Sequence, residues 1–259
     1  MTRYLDTGTW ARRDAFEYFQ GFDKPYFNVC VRLDVARLKA AVTARGGAGL
    51  SLACYFVALR LANEHEPFRL RLERGRVRVH AEVHGSAAGL SLACYFIALR
   101  LANEHEPFRL RLERGRVRVH AEVHGSTTVL RDDGESFFFA ELDHTRDFDA
   151  FAAQAGAAIE AARTLRAEFE PKPEDAARVY FTSLPWLHFT SFSHARNWGG
   201  EDSIPRLAFG RAQAEGAQLW LPMSVEVHHA LMDGVHVGRY VQDFEGWLAQ
   251  PERWLGRPA

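Results

Sequence analysis

Residues 48–86 of this chain (AGLSLACYFVALRLANEHEPFRLRLERGRVRVHAEVHGS) are written a second time as residues 88–126, and the copies differ only at Val57 against Ile97. Any fold for the chain must therefore seat two equal units, or seat one and carry the other. Two copies are too few for a stacked solenoid, which normally needs about three or more to bury a continuous core. Functional repeats of great age also drift, and these have not. A recent tandem duplication, an engineered insertion and an assembly error all stay open on the letters alone.

The repeated unit reads as a helix followed by a β-hairpin. In the first copy Leu50, Ala53, Cys54, Val57 and Leu61 recur at helical spacing, and Phe56 and Leu59 add apolar side chains on other faces, so the helix should be well buried. After Pro67 the period becomes two: Phe68, Leu70 and Leu72 alternate with arginines, Glu73-Arg74-Gly75-Arg76 turns the chain, and Val77, Val79, Ala81 and Val83 alternate again.

Elsewhere the pattern predicts a helix over residues 10–20 with Thr9 as N-cap, a strand over 26–35 and a short helix over 36–44. A strand at 137–142 and a helix from Asp147 to Phe169, broken by Pro171 and Pro173, follow. Strands at 178–192, 206–212 and 217–229 precede a last helix over 235–248, stopped by Pro251. Helices interleave with hairpins, which predicts an α/β chain in two layers, helices packed on a mixed β-sheet. No linker divides it, so residues 1–259 read as a single domain containing the duplication.

Composition narrows the function classes. The chain is 47% hydrophobic and 25% charged with a formal net charge of −1, an ordinary globular balance. Without a basic run it is not expected to bind nucleic acid. No apolar stretch is long enough to cross a bilayer, and the first residues lack the apolar core of a secretory signal. Cys30, Cys54 and Cys94 have no paired spacing, which fits a reducing cytoplasm.

The stretch richest in chemistry runs from Leu221 to His236. Strand alternation puts Leu221, Met223, Val225, Val227 and His229 on one face and Ser224, Glu226 and His228 on the other. His229 thus ends an apolar row, where partial desolvation favours the neutral imidazole that a general base requires. The same residues also read as a hydrogen-bonded core histidine and a helix cap at Asp233. A metal site of His228, His229, Asp233 and His236 is disfavoured, because adjacent strand residues point apart.

His228-His229-Ala230-Leu231-Met232-Asp233-Gly234 closely resembles the His-His-x-x-x-Asp-Gly signature of the chloramphenicol acetyltransferase family. Residues 10–16 (WARRDAF), 63–69 (NEHEPFR) and 184–192 (LPWLHFTSF) resemble further family segments in the same order. The family carries one helix–hairpin unit, so removing one copy here restores its layout. The resemblance implies a CoA-dependent O-acetyltransferase acting on a hydroxyl of a small molecule, chloramphenicol or a related acceptor. It implies a homotrimer with sites between subunits, acetyl-CoA as co-substrate and no metal.

By the same resemblance His229 is the general base. Asp233 pairs with Arg12 (Arg13 is the neighbouring fallback), and the hydroxyl of Thr182, beside Ser183, stabilises the oxyanion. Trp186 and Arg211 fall at CoA-binding positions, and Tyr18, Phe19 and Phe192 at acceptor-binding ones. The chain departs from the family at Ala208, where a threonine helps hold a water, and at Arg211 and Ala212, where a lysine and a tyrosine accompany CoA. Pro25, Tyr180 and His194 also differ. These departures keep a catalytically impaired binding relative as the alternative, and a metal-dependent hydrolase as a more distant one.

Overall fold

A computed structural model describes residues 3–44, 70–73, 76–79, 88–132, 136–165, 177–196 and 202–255. In chain order the elements are β1 (Arg3–Tyr4), α1 (Arg13–Phe19), β2 (Tyr26–Asp34), α2 (Ala36–Ala44), β3 (Leu70–Glu73), β4 (Arg76–Val79) and α3 (Ala88–Glu104). Then come β5 (Leu110–Glu113), β6 (Arg116–Val119), β7 (His124–Leu130), β8 (Phe137–Leu142), α4 (Phe148–Thr164) and β9 (Arg178–Ser183). The chain closes with β10 (Arg206–Phe209), β11 (Gln213–Glu215), β12 (Gln218–His228) and α5 (Gly234–Ala249).

A seven-stranded sheet runs from β8 through β7, β9 and β10 to β12, which also pairs with β11 and with β2. β9 lies parallel to β7 and β10, while β12 is antiparallel to β10 and β2. The sheet is therefore mixed. Side-chain alternation sorts its faces. Phe181, Leu207, Phe209, Met223, Val225 and Val227 are buried in one core with residues of α2, α3, α4 and α5. Thr182, Ala208, Ser224 and Glu226 fall on the opposite face.

The second copy of the repeat supplies the central helix of that core. Every residue from Ala93 to Leu99 is buried, because α4, α5 and α2 flank α3 while β7 and β9 lie against it. A helix enclosed in this way has to be apolar all round. Tyr95 stacks on Phe181 and its phenol accepts a hydrogen bond from Thr127 Oγ1 at 3.1 Å. Phe96 packs among Phe148, Phe151 and Trp254. The helix anticipated in the first copy lies outside the described residues.

β5 and β6 close over Arg114 and Gly115 at φ 52° and 69°, the left-handed pair of a two-residue hairpin turn, where glycine is at ease. Through Leu110, Val117 and Val119 this hairpin shares a second core with Phe16 of α1 and with Ala230 and Leu231 beyond β12. The first copy's β3 and β4 pair in the equivalent register, Leu70 opposite Val79, as a separate two-stranded sheet.

Several boundaries move from those expected. Thr9 does not cap α1: its hydroxyl bonds to Asp6, and Arg12 occupies the N-cap. β9 stops at Ser183 rather than 192, because Pro185 has no N–H and the Leu187 N–H turns back to the Leu184 carbonyl at 3.0 Å. β10 ends before Gly210, where a Cβ would come within 2.6 Å of Pro222 and 2.7 Å of the Leu187 carbonyl oxygen. Helix α4 ends at Thr164, capped at its start as anticipated, with Asp147 Oδ1 accepting from the Ala150 N–H at 2.8 Å. Residues 166–176, including Pro171 and Pro173, lie outside the described residues.

Candidate active site

β12 delivers its C-terminal end to a tight turn, His229 to Asp233, before α5. Strand alternation sends the two histidines in opposite directions. His228 is 4% exposed, packs edge-on to Tyr26 and accepts the Ala230 N–H on Nδ1. Burial, then the charges of Arg196 and His229, push its pKa down to about 4. The deeper desolvation therefore belongs to His228, not to His229. The His229 side chain is 31% exposed; its ring stacks on Phe19 at 3.8 Å and 9° and leans on Phe27 at 4.7 Å. β12 ends one residue before it, and its N–H donates to the Pro25 carbonyl at 2.6 Å.

Arg12 clamps this turn. Its guanidinium donates to Asp233 Oδ2 at 2.9 Å and Oδ1 at 2.7 Å, and to the carbonyls of Ala230 and His229 at 3.0 Å each. One planar fork thus ties the helix α1 N-cap to both ends of the turn. Burial pushes the Asp233 carboxyl up, but the hydrogen bond and charge of Arg12 outweigh it and hold the pKa below the usual aspartate value. His229 Nδ1 lies 3.2 Å from Asp233 Oδ1: the carboxylate faces the ring without an aligned hydrogen bond.

The other candidate residues are spread over the chain. Tyr18 is 65% exposed and forms an aromatic group with Phe19 and Phe22. Phe192 packs against Phe189 and His194, and its carbonyl accepts from Ser224 Oγ at 3.3 Å. Behind them Arg196 is buried between Glu226, at 2.6 Å, and Asp202, at 3.0 Å. Burial raises the Glu226 carboxyl, but contacts with His194 and Arg196 bring it down to about 2. Trp186 is 55% exposed. Arg211 lines a cavity of about 290 Å³ with Lys39, Thr43, Ser91, Pro185 and Ala212.

Thr182 is not brought to His229 within one chain. Thr182 pairs with Ala208, which pairs with Ser224, five residues before His229. Two strand spacings of about 4.8 Å and five residues at about 3.4 Å separate them by roughly 19 Å. Ala208 itself is completely buried. As for the metal set, His228 and His229 face opposite ways, and among the described residues no group of three or more His, Cys, Asp or Glu is arranged to hold an ion.

Three features escape a reading of the letters. Phe27 reaches His229 through strand pairing, being opposite Val227, and nothing local signals it. Lys39 and Thr43 look like a solvated helix face until β10 and α3 close the cavity beside them. His236 accepts the Asp233 N–H on Nδ1 at 2.9 Å; the Asp-x-x-His spacing at a helix start was the available signal.

The fold is that of an acetyltransferase of the chloramphenicol acetyltransferase type, and the comparisons narrow the class. The family model described as chloramphenicol acetyltransferase matches residues 2–90 and 90–245, two stretches that meet at the start of the second copy of the repeat. A chloramphenicol acetyltransferase of Streptomyces acrimycini is 31% identical over 253 residues, 97% of this chain and 96% of that one. Among solved structures a chloramphenicol acetyltransferase superposes with a TM-score of 0.68 at 19% identity, covering 96% of this chain and 100% of that one. The dihydrolipoamide acetyltransferase of Azotobacter vinelandii follows at 0.56 and 19%, covering 98% and 92%. This chain belongs to the chloramphenicol acetyltransferase family and is a CoA-dependent acetyltransferase.

Proposed function

We propose that the chain moves the acetyl group of acetyl-CoA to a hydroxyl of a small molecule, with His229 as general base. The observation that carries this reading is the Arg12 clamp, which fixes the turn while Phe19 and Phe27 hold the imidazole. Nδ1 faces Asp233, which leaves Nε2 to take the acceptor's proton as its oxygen attacks the thioester carbonyl. The carbonyl then re-forms, the carbon–sulfur bond breaks, and the proton passes from His229 to the departing thiolate. Base assistance of this kind is worth about 10²–10⁴-fold. Thr182 is the proposed donor to the oxyanion; its distance from His229 in one chain supports an assembly, a trimer by family resemblance, in which another copy contributes it. The cavity beside Arg211, with Lys39 and Thr43 on its wall, suits a phosphorylated CoA end, since it pairs basic groups with an apolar floor.

Chloramphenicol and related hydroxylated compounds are the acceptors proposed for test, and a reducing, cytoplasmic setting suits the free thiols Cys30 and Cys94. Ala208 and Ala212, which lack the family's side chains, favour a second reading: an impaired relative that binds without turnover. Thiol release from acetyl-CoA, followed with a chromogenic reagent across an acceptor panel, separates the two. Acceptor-dependent release supports catalysis, whereas ligand binding without release supports the second reading.

A further inference from the structure

Helix α5 is capped in an uncommon way. An aspartate at the N-cap normally turns its carboxylate onto the first unpaired amides of its helix. The Asp233 carboxylate faces the His236 backbone as one half of a capping box, and both its oxygens are also engaged by Arg12 at the start of α1. The backbone N–H of Asp233 is then met by His236 Nδ1 at 2.9 Å, while the His236 N–H donates to the Asp233 carbonyl at 2.9 Å. The imidazole thus fills the place that glutamate or glutamine takes in a capping box.

The geometry points to His236 as a positioning residue for acetyl transfer: its neutral ring locks Asp233, and through Asp233 and Arg12 the turn that presents His229. This rests on the reading of His229 as the base. Every link is one contact long. His236 holds the Asp233 amide, the Asp233 carboxylate holds Arg12, and Arg12 holds the carbonyls of Ala230 and His229. Only an imidazole with its proton on Nε2 has a lone pair on Nδ1 to accept that amide. The charged groups facing His236 are Arg12 from the start of α1, Asp233 in the turn and Arg239 farther along α5. Burial first, then Arg12, disfavours the imidazolium and outweighs Asp233. Acid removes the lone pair and sets a second cation beside Arg12. Full rate therefore requires two unprotonated histidines, His229 to take the proton and His236 to hold the turn.

The test compares the full-length wild type with His236→Gln and His236→Ala. Glutamine keeps an acceptor that does not titrate, so the acid limb of kcat should flatten from two protons to one. Alanine removes the acceptor and should lower kcat about tenfold at neutral pH with KM for acetyl-CoA unchanged. Two readouts need no turnover: nitrogen NMR of labelled histidine should show Nδ1 of His236 unprotonated at neutral pH, and amide exchange at Asp233 should quicken in the alanine variant. Should wild type release no thiol with any acceptor, the base assignment falls, and the NMR and exchange data alone decide His236. An unchanged acid limb in the glutamine variant, a protonated Nδ1, or equal Asp233 exchange in wild type and alanine variant overturns the proposal. If the alanine variant does not fold, the glutamine variant and the wild-type spectrum still decide.

Discussion

Replacing His229 with alanine removes the ring held between Phe19 and Phe27 but leaves Arg12 its bonds to Asp233 and the turn carbonyls. Acetyl transfer should therefore fall at least about 10²-fold, with melting temperature and CoA binding close to wild type; an equal loss of rate in a His228 variant would contradict the division of roles. His228 acts instead through stability. Its folded pKa of about 4 lies below the ordinary 6.5, so the folded state resists its protonation. That stability is full above the ordinary value and is lost as pH falls toward the folded one. Urea unfolding at pH 7 and pH 5 should show about 2 kcal/mol of loss from this residue, and His228→Gln should abolish that part of the dependence. Arg12 and Asp233 form a pair more open than a buried one, with side chains 12% and 38% exposed. Arg12→Ala should thus cost about 2 kcal/mol rather than the 3–5 of a buried pair. Asp233→Asn should add little to Arg12→Ala in a double-mutant cycle.

The duplicated element can be tested by two deletions that leave the same sequence apart from one methylene. Removing residues 87–126 keeps Val57, and removing 48–87 keeps Ile97. In the full chain the second copy occupies the core, and Ile97 is completely buried. Valine there leaves a small void, which typically costs about 0.5–1.5 kcal/mol. Both deletion variants should give more soluble protein and melt higher than the full chain, because a duplicate set of apolar faces is gone. The variant keeping Ile97 should be the more stable of the two. If both melt below the full chain, the two copies are integral to the fold.

At the scale of the whole molecule, sheet register keeps Thr182 and His229 apart in one chain. If the site is completed by another copy, two inactive variants should rescue each other. His229→Ala and Thr182→Ala, refolded together in equal amounts, should recover about one quarter of wild-type activity, half times half of the pairings being intact. No recovery, with mixed oligomers shown to form, would place both groups in one chain or leave Thr182 without a role. Exposed Phe137, Phe139 and Leu130 lie at the β8 edge of the sheet, apolar surface available for such an assembly.

The letters by themselves determined the local choices: a strand over 26–35, found one residue shorter, the 137–142 strand, the α2 helix, the Asp147 cap, and the opposite directions of His228 and His229. Each follows from periodicity or a cap acting over a few residues. Motif order also carried the family and with it the mixed sheet under helices. Only the tertiary structure decided that β9 ends at Ser183, that Thr9 turns to Asp6, and that α3 comes from the second copy. It alone put Phe27 on His229, closed the cavity over Lys39, and set the His236 imidazole on the Asp233 amide. Those outcomes depend on contacts between residues far apart in the chain, where competing partners of similar local preference are separated by packing and by which buried polar groups must be satisfied.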